Sequence, residues 1–340
     1  MPRKTNAQQY PIRLVEYAVA VMKLLVVIVN YRTPQMTVDC LESIAGEIGS
    51  LRGKVAVVDN ASPDDSVRHL RQAIDERGWQ DWAALMPLDR NGGFAYGNNA
   101  AIQPALASSD PPDYVLLLNP DTIARPGALG ALVDFLASHP EVGMVGSRLE
   151  DPDGTPQRSA FRFHTLISEF DGAMKLGLFS LLAARHVVAP PVSAIACPAQ
   201  WVAGASLLIR RQVFDSIGLL DAKYFMYFEE VDFCQRAAKA GWPCWYEPKS
   251  RVVHLVGQAS GVTNRSDAQR RRPAYWFESR RYYWIKNYGK AYAAAVDAVW
   301  IVGYAGWRLR AWLQRKPSSD PPSFFWDSLR HSVFVKGFRA

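Results

Sequence analysis

Three carboxylates stand within four positions of the segment FMYFEEVDFC, residues 225–234: Glu229, Glu230 and Asp232. Aromatic and apolar residues precede them, and both apolar surroundings and like-charged neighbours raise the pKa of a carboxyl group. A carboxylate with a raised pKa can remove a proton from a hydroxyl group near neutral pH. Acidic residues in the first turn of a helix also complement the helix dipole, which explains one or two of the three. We interpret the segment as a general base with a helper beside it.

Polar residues follow three of the apolar runs in the first half of the chain. They are Asn30-Tyr31, Asp59-Asn60 and Asn119-Pro120-Asp121. Ligands of open α/β sheets bind at the carboxyl ends of the strands. Asn and Asp also favour turns, so each ending taken alone is equally consistent with ordinary turn chemistry. The three endings together predict one binding site at the edge of a sheet.

The last of these endings, NPD, is suited to a divalent cation. Asp121 offers a carboxylate and Asn119 an amide oxygen, which are ligands for a hard cation that also bridges phosphate oxygens. A cation held by so few protein groups needs a further ligand, and His254 in RVVHLV is the candidate. A single histidine in a strand is more often a hydrogen-bonded structural residue, so both interpretations of His254 stay open.

A glycine-rich turn, RNGGFAYGNNA, occupies residues 90–100. Gly92, Gly93 and Gly97 allow the backbone to approach a ligand closely, and the N–H groups of the helix that follows could face a phosphate. The turn lacks both the G-x-G-x-x-G spacing of dinucleotide sites and the Lys-Ser/Thr ending of a P-loop. A dehydrogenase and a kinase are therefore disfavoured.

The elements that must position these residues alternate along the chain. Unalternated apolar runs predict strands buried on both faces at residues 24–31, 54–60, 82–88, 113–121 and 142–147. Helical patterns between them predict crossover helices at 37–47, 66–77, 96–106 and 127–138. The second half predicts strands at 200–211, 244–248 and 251–256 and helices at 211–218 and 230–241. The fold class is therefore α/β, with a Rossmann-like, mostly parallel central sheet flanked by helices.

Six segments together resemble a known family. VVIVNYRT, VVDNASPDDS, NGGFAYGNN, LLLNPDT, WVAGASLLIRR and YFMYFEEVDFCQRAAKAGW occur in the order and at the approximate spacing of the inverting glycosyltransferases of family 2. Within that family the chain resembles the rhamnosyltransferase-like branch, which acts on bacterial surface polysaccharides. The resemblance covers roughly residues 23–290 and implies a GT-A fold, in which a nucleotide-sugar lies over the strand ends.

The resemblance also implies roles for individual residues. Asp121 occupies the family's DxD position and would coordinate Mg²⁺ or Mn²⁺, and His254 falls where some relatives supply a metal-binding histidine. Glu230 falls at the position of the catalytic base, with Glu229 and Asp232 supporting it. The residues implied to bind the nucleotide-sugar are Asn30, Tyr31, Asp59, Asn60, Gly92, Gly93, Asn98, Asn119 and Gly204. Among these, Asp59 would accept a hydrogen bond from a pyrimidine base.

Two departures from the family pattern affect the site. Asn119 stands at the first DxD position, which removes one negative charge from the metal site. Glu230 stands where many relatives carry Asp, so a side chain one methylene longer must fit the same reach.

The resemblance implies the reaction as well as the fold. The donor would be a nucleotide-sugar, dTDP-L-rhamnose by similarity to the branch or else a UDP-sugar, and the acceptor a lipid-linked saccharide. The sugar would be transferred with inversion in a single displacement. A nucleotidyltransferase that makes the sugar nucleotide shares a Rossmann-like site and remains the alternative. Release of nucleoside diphosphate rather than pyrophosphate distinguishes the two.

The basic residues concentrate at the end of the chain. Residues 265–340 hold 15 Lys and Arg against 5 Asp and Glu, whereas residues 1–264 hold 24 against 27. Trp300, Tyr304 and Trp307 form a helical stripe, followed by the cations Arg308, Arg310, Arg315 and Lys316. The stripe either packs on the enzyme's own core or lies in the headgroup region of an anionic membrane. Nucleic-acid binding is disfavoured because no RNA-binding or helix-turn-helix signature accompanies the charge.

These patterns predict three regions and a location. Residues 1–22 form an N-terminal extension, and the apolar run after Met22 suggests that translation starts there. Residues 23–265 form the GT-A domain, with a nucleotide-binding half (23–150) and an acceptor and catalytic half (151–265), and residues 266–340 form a helical, membrane-associating appendage. The four cysteines form no CxxC pair, and no signal peptide or membrane-spanning run is evident. We expect a cytoplasmic enzyme, peripheral on the inner face of the cytoplasmic membrane.

Overall fold

The computed structural model describes residues 23–255, 270–316 and 320–338. The predicted N-terminal extension and the suggested start at Met22 lie outside these residues. Strands and helices alternate through the first half of the described chain, as the apolar runs predict. The strands are β1 Leu24–Asn30, β2 Lys54–Asp59, β3 Ala83–Pro87, β4 Tyr114–Leu118, β5 Thr122–Ala124, β6 Met144–Glu150, β7 Ala160–Phe161, β8 Cys197–Ala199, β9 Trp201–Val202, β10 Ser206–Arg210 and β11 Cys244–His254.

The helices follow the same alternation up to residue 138 and then dominate the carboxyl-terminal part. They are α1 Pro34–Ile48, α2 Ser66–Glu76, α3 Phe94–Leu106, α4 Ala128–Ser138, α5 Leu166–Met174, α6 Gly177–Leu182, α7 Arg211–Ile217, α8 Glu229–Lys239, α9 Ala274–Tyr288, α10 Lys290–Leu313, α11 Phe324–Arg330 and α12 Val333–Lys336. Among the described residues, no helix is both long enough and apolar enough to cross a bilayer.

One mixed sheet holds most of these strands, in the order β3-β2-β1-β4-β10-β6-β11-β5, with β8 also paired to β11. The pairs β3-β2, β2-β1 and β1-β4 are parallel, so the carboxyl ends of these strands lie at one edge of the sheet. Strand β10 runs antiparallel between β4 and β6, while β6 and β11 are parallel. The predicted fold class, α/β with a mostly parallel sheet, is confirmed.

Two segments differ from the prediction. Residues 200–211 form two strands rather than one, because the chain turns at 203–205, and β9 pairs with β7 in a separate small sheet. The two strands predicted at 244–248 and 251–256 are the single strand β11, whose pairing is irregular between Glu247 and Arg251. Pro248 lies in that irregular stretch, where a proline is tolerated without ending the strand.

The sheet is covered on both faces, which explains its unalternated apolar sequence. On one face, buried side chains of α1, α2 and α4 pack on β1, β2 and β4; they include Ile44, Leu70 and Leu132. On the other face, α3, α7 and α8 contribute residues such as Ile102 and Phe233. The helices therefore fix the sheet edge at which β1, β2 and β4 end.

The carboxyl-terminal helices share a third core with the segment that precedes α8. Tyr224 and Phe228 pack there with Tyr283 and Trp284 of α9 and with Val296 of α10. The aromatic residues that precede the acidic cluster therefore hold α9 and α10 against the segment that leads into α8.

The aromatic stripe predicted on α10 also faces protein rather than solvent. Tyr304 is buried, stacks on Trp300 with ring centres 4.9 Å apart, and donates a hydrogen bond to Asp320. Trp307 Nε1 donates to the same carboxylate over 3.3 Å. Of the two interpretations of this stripe, packing on the chain's own core is the one observed: Tyr304 is buried, and Trp300 and Trp307 are half-buried.

Candidate active site

A cavity of about 480 Å³ opens at the carboxyl ends of β1, β2 and β4. The predicted site residues that line it are Tyr31, Asn60, Gly93, Asn119, Asp121, Gly204, Glu229, Glu230 and His254. The strand endings and the acidic segment, which are more than 100 residues apart in the sequence, therefore meet in one cavity. The predicted site residues that do not line it are Asn30, Asp59, Gly92, Asn98 and Asp232.

The acidic residues of the cavity follow a strained turn. Tyr227 and Phe228, just before α8, have φ angles of 70° and 69°, in the left-handed region that non-glycine residues rarely adopt. Phe228 is buried against Tyr283 of α9, with ring centres 5.4 Å apart. The packing offsets the strain, which costs about 1–3 kcal/mol per residue, and the turn brings Glu229 and Glu230 to the cavity wall.

The two glutamates have the apolar surroundings that the sequence predicts. Burial raises the pKa of Glu229 well above its ordinary value, and the charge of Glu230 raises it further. Burial also raises the pKa of Glu230, although backbone N–H groups and His164 partly oppose the rise. Neither Glu229 Oε2 nor Glu230 Oε2 accepts a hydrogen bond from a described residue. Each carboxyl group therefore has one buried oxygen that no described residue satisfies.

The other end of the cavity carries a carboxylate and an imidazole. His254, the last residue of β11, pairs with Thr122 of β5, the residue after Asp121. This pairing brings His254 Nε2 to 3.7 Å from Asp121 Oδ1. Burial lowers the pKa of His254, and the negative charge of Asp121 opposes the effect only in part. The imidazole is therefore neutral near pH 7, the form in which histidine binds metal ions.

These two side chains fit a divalent cation that a diphosphate completes. Asp121 offers oxygen and His254 nitrogen, and Asn119 lines the same cavity. The residues that the structure describes contain no group of three or more His, Cys, Asp and Glu side chains that could enclose a metal ion. A cation held here would need further ligands, and phosphate oxygens and water are the usual ones for Mg²⁺ in phosphate chemistry.

The glycine-rich turn forms a further wall of the cavity by packing against the aromatic segment. Gly93 has a φ of 87°, and the N–H of Phe94 donates to the carbonyl of Phe225 over 2.8 Å. Asn60 Nδ2 donates to the carbonyl of Gly93 and to Asn91 Oδ1. Asn60, directly after β2, therefore holds the glycine-rich turn in place. That turn holds the segment that leads to the two glutamates.

Replacing Gly93 by Ala should disrupt this contact. An added Cβ would lie only 1.9 Å from the carbonyl oxygen of Phe225. We expect the free energy of unfolding to fall by about 2 kcal/mol or more, because the clash adds to the backbone strain. Gly241→Ala is the matched control, since Gly241 has a φ of 88° and nothing within 4 Å of an added Cβ. Its expected loss is about 1 kcal/mol, and equal losses in chemical denaturation would contradict the close packing of Gly93.

The strand-end residues Asn30 and Asp59 are buried behind the cavity rather than in its wall. Asn30 Nδ2 donates to Asp59 Oδ2 over 2.6 Å, and Asn30 Oδ1 accepts from Thr37 Oγ1. Asp59 Oδ1 accepts from the N–H of Ser62. In this conformation the two residues shape the loops after β1 and β2, and contact between Asp59 and a nucleotide base stays a prediction.

Asp232 lies in an ionic network away from the cavity. Its carboxylate accepts from Arg236 Nε over 2.9 Å, from Lys286 Nζ over 2.8 Å and from Asn287 Nδ2 over 2.9 Å. Lys286 and Asn287 belong to α9, so Asp232 connects α8 to the carboxyl-terminal helices. Any support that it gives Glu230 is therefore indirect, through the position of α8.

Two further predicted residues are also set back from the cavity. Asn98 is buried in α3, where its Nδ2 donates to the carbonyl of Phe94. Gly92 lies beside Tyr96, whose ring would meet an added Cβ at 2.3 Å. Both residues shape the glycine-rich turn and the start of α3.

The cavity also contains residues that the sequence reasoning missed. Asn91 lies in the glycine-rich turn, and Phe225 lies in the aromatic segment, so both were near predicted residues. Arg272 and Tyr275 come from the region assigned to the carboxyl-terminal appendage. Their motif, RRRPAYW, combines cations with aromatic rings, and this was the available signal.

The comparison with known proteins agrees with this fold and site. The family model described as Glycosyltransferase like family 2 matches residues 22–277, and the chain belongs to this family. An N-acetylglucosaminyl-diphospho-decaprenol L-rhamnosyltransferase from two strains of Mycobacterium tuberculosis is 32% identical to this chain over 218 residues. The match covers 61% of this chain and 68% of the relative. The rhamnosyltransferase WbbL of Escherichia coli K12 is 26% identical over 166 residues, covering 48% of this chain and 61% of WbbL. The enzyme is therefore a rhamnosyltransferase-like glycosyltransferase.

Solved structures share the fold at low sequence identity. The mannosyltransferase PcManGT from Pyrobaculum calidifontis, in complex with GDP-Man and Mn²⁺, superposes with a TM-score of 0.53 at 14% identity, covering 93% of this chain and 83% of that chain. GalNAc-T7 with UDP, GalNAc and Mn²⁺ gives a TM-score of 0.54 at 14% identity, covering 86% of this chain and 57% of that chain. The GT-A fold predicted from the sequence is confirmed.

Proposed function

We propose that this enzyme transfers L-rhamnose, with inversion and in a metal-dependent reaction, from a nucleoside diphosphate donor to a hydroxyl group of a lipid-linked saccharide. The observation that carries the proposal is that Asp121 with His254 and Glu229 with Glu230 line one cavity. A single displacement needs the leaving diphosphate and the attacking hydroxyl on opposite sides of the anomeric carbon. One cavity with a cation-binding pair and a pair of carboxyl groups provides for both.

In this mechanism Glu230 is the general base. Its carboxylate accepts the proton of the acceptor hydroxyl, whose oxygen then bonds to the anomeric carbon as the bond to the diphosphate breaks. Gly204 lies beside the base, where an added Cβ would make an ordinary contact with the Glu230 Cβ at 3.7 Å. The raised pKa of Glu229 favours its protonated form, which can donate a hydrogen bond to a substrate oxygen or to its neighbour.

Asp121 and His254 would hold Mg²⁺ or Mn²⁺, and a bound cation neutralises the charge that develops on the leaving diphosphate. Asn119 in place of an acid leaves this site with less negative charge of its own. We therefore expect metal binding to depend strongly on the diphosphate. Residues 23–150 would hold the nucleotide, and residues 151–265 would supply the base.

The donor and acceptor follow from the names of the relatives. The mycobacterial relative is named for L-rhamnose transfer to a diphospho-decaprenol-linked sugar, and the WbbL name also specifies rhamnose. An acceptor of this class has a sugar hydroxyl, a diphosphate and a polyprenyl chain. A role in the assembly of a cell-envelope polysaccharide is consistent with such an acceptor.

The assay that tests this function uses purified enzyme, Mn²⁺, dTDP-L-rhamnose and a short-chain polyprenyl diphosphate that carries N-acetylglucosamine. We expect a rhamnosylated lipid and free dTDP in equal amounts, with UDP-hexoses as the comparison donors. Release of pyrophosphate from sugar phosphate and nucleoside triphosphate, without any transfer to the lipid, would support the nucleotidyltransferase alternative instead.

The acceptor's lipid chain places the active enzyme at a membrane, and helix α10 offers a surface for it. The buried stripe of α10 leaves the opposite face outward, where Val302, Leu309 and Leu313 are exposed by 59–67% and Trp312 by 74%. The small exposed residues Ala291, Ala298, Ala305 and Gly306 complete this face. Arg308, Arg315 and Lys316 are exposed along and beyond its carboxyl-terminal end. An apolar face with adjacent cations suits the interface of an anionic leaflet.

Replacing Leu309 and Leu313 together by Ser should weaken binding to anionic vesicles by about tenfold or more, because two leucine side chains no longer enter the bilayer interface. Co-sedimentation with phosphatidylglycerol and phosphatidylcholine vesicles measures the effect. Ile195→Ser is the matched control, since Ile195 is 73% exposed but belongs to the loop before β8. Unchanged binding of the double variant would contradict this docking face.

A further inference from the structure

The cavity wall contains three carboxyl groups but only one arginine or lysine among the described residues. The carboxyl groups are those of Asp121, Glu229 and Glu230, and the cation is Arg272, just before α9. The proposed reaction expels a diphosphate that carries two or more negative charges. Among the described residues of the cavity wall, Arg272 is therefore the arginine or lysine side chain that could contact this diphosphate.

Arg272 is held in place without an ion pair to any residue that the structure describes. Its guanidinium carbon lies 4.5 Å from the ring centre of Trp276 and 5.5 Å from that of Phe324. Its Nε is buried and has no hydrogen-bond partner among the described residues. Arg271, the residue before it, instead donates from Nε and Nη2 to the carboxylate of Asp327. Of the two adjacent arginines, Arg271 is therefore paired with a carboxylate. Arg272 lines the cavity, and no described residue accepts a hydrogen bond from its Nε.

Such an arrangement is costly unless an anion completes it. Burial lowers the pKa of Arg272, which shows that the charged guanidinium is partly removed from water. Two aromatic rings beside a guanidinium restrict its orientation, so less entropy is lost when it binds a ligand. A planar group with several N–H donors matches the oxygens of a phosphate in a bidentate contact.

We infer that Arg272 binds a diphosphate group in this cavity through charge-assisted, bidentate hydrogen bonds. The inference rests on the proposed function, to which it adds a second positive charge besides the cation at Asp121. The donor nucleotide supplies one such diphosphate, and a lipid-linked acceptor supplies another. Both present the same chemistry to Arg272.

The inference also gives the carboxyl-terminal helices a role in substrate binding. Phe324, the first residue of α11, packs on Arg272 and lies 5.5 Å and 5.9 Å, between ring centres, from Trp300 and Tyr304 of α10. The buried aromatic stripe of α10 thus backs Phe324, and Phe324 backs Arg272. Phe324 and Trp276 are positioning residues, because they act on the diphosphate only through the guanidinium.

The test compares Arg272→Met and Arg272→Lys with the wild type in calorimetric titrations of full-length protein with Mn²⁺. The ligands are a nucleoside diphosphate and the corresponding monophosphate. We expect Arg272→Met to weaken diphosphate binding about 10- to 100-fold and monophosphate binding much less, as loss of a charge-assisted contact predicts. Arg272→Lys should recover part of the loss, because charge remains but the bidentate geometry does not. Arg71→Met, which removes an exposed arginine of α2 outside the cavity, is the control and should bind both nucleotides normally.

The outcomes separate the two sources of diphosphate. A selective loss of nucleoside diphosphate affinity identifies the donor. Unchanged nucleotide affinity, with a raised KM for a lipid diphosphate acceptor but not for a simple glycoside of the same sugar, identifies the acceptor. If folded Arg272→Met and Arg272→Lys change neither quantity, the inference is overturned while transfer by the wild type still supports the proposed function. If the wild type binds no nucleoside diphosphate and transfers no sugar, the proposed function fails first.

Discussion

Glu230→Gln should lower the rate of sugar transfer by about a thousandfold, while the variant stays folded and binds the donor normally. Gln preserves the shape of the side chain but cannot accept the proton of the attacking hydroxyl, and a positioned general base contributes on the order of 10²- to 10⁴-fold. Steady-state kinetics should therefore show a loss in kcat with little change in the donor KM. Near-normal turnover of a folded Glu230→Gln enzyme would exclude Glu230 as the base.

Glu229→Gln is the matched control, one residue away in the same turn. Its pKa is raised well above the ordinary value, chiefly by burial, which favours the protonated form that Gln mimics. We expect a reduction in kcat of less than about tenfold, because the amide of Gln is neutral and donates a hydrogen bond, as the protonated carboxyl group does. If Glu229→Gln were the inactive variant and Glu230→Gln the active one, the assignment of the base would be reversed.

The same pair makes a prediction about pH. The raised pKa of Glu230 means that the base becomes ionised, and the enzyme active, only at a higher pH than an ordinary glutamate would require. Transfer should fall as the pH drops through that pKa, and Glu230→Gln should lose this limb of the profile. A buried acid with a raised pKa also costs stability as the pH rises toward that value. Glu229→Gln should therefore gain stability over the wild type at pH 8, and the gain should shrink toward pH 5.

Asp121→Asn should abolish the metal-dependent part of donor binding. The substitution keeps an oxygen ligand but removes the charge, and Asn119 already stands at the other position of the motif. A nucleoside diphosphate titrated in Mn²⁺ should then bind the variant no better than it binds the wild type in EDTA. His254→Gln, which removes the other ligand but leaves the carboxylate, should lose a smaller part of the Mn²⁺ effect.

The outcome against the Asp121 assignment is equally specific. An Asp121→Asn enzyme with wild-type affinity for the nucleoside diphosphate, and with an unchanged dependence on Mn²⁺, would remove Asp121 from the metal site. A variant that unfolds is distinguished by circular dichroism before the titration, since Asp121 is buried between β4 and β5.

The sequence predicted the part of the site that depends on strand order. Apolar runs that are buried on both faces indicate parallel strands, and parallel strands end at the same edge, so Asn60 and Asp121 could be placed together before the fold was known. The order of the motifs indicated the family, and the family pattern indicated that Glu230 lies at the position of the catalytic base. The bounds of α2 and α4 follow the predicted ranges to within one residue.

The parts that the sequence did not reveal depend on tertiary packing. Nothing in the local pattern of Asp232 shows that Lys286 and Asn287 of a later helix surround it. The stripe on α10 is aromatic whether it faces lipid or protein, and only the positions of Phe324 and Asp320 decide between the two. Arg272 reaches the cavity because α9 and α11 hold it there, a contact that no spacing within the motif encodes.

We propose that a single cavity holds both the cation, at Asp121 and His254, and the base, Glu230. A crystal of the enzyme with Mn²⁺ and a nucleoside diphosphate tests it through the anomalous scattering of manganese. We expect one anomalous peak between Asp121 and His254 Nε2, with a diphosphate in contact with it. The Glu230 carboxyl group should face the space left for the sugar and the acceptor. A manganese peak away from Asp121, or a nucleotide bound outside this cavity, would contradict it.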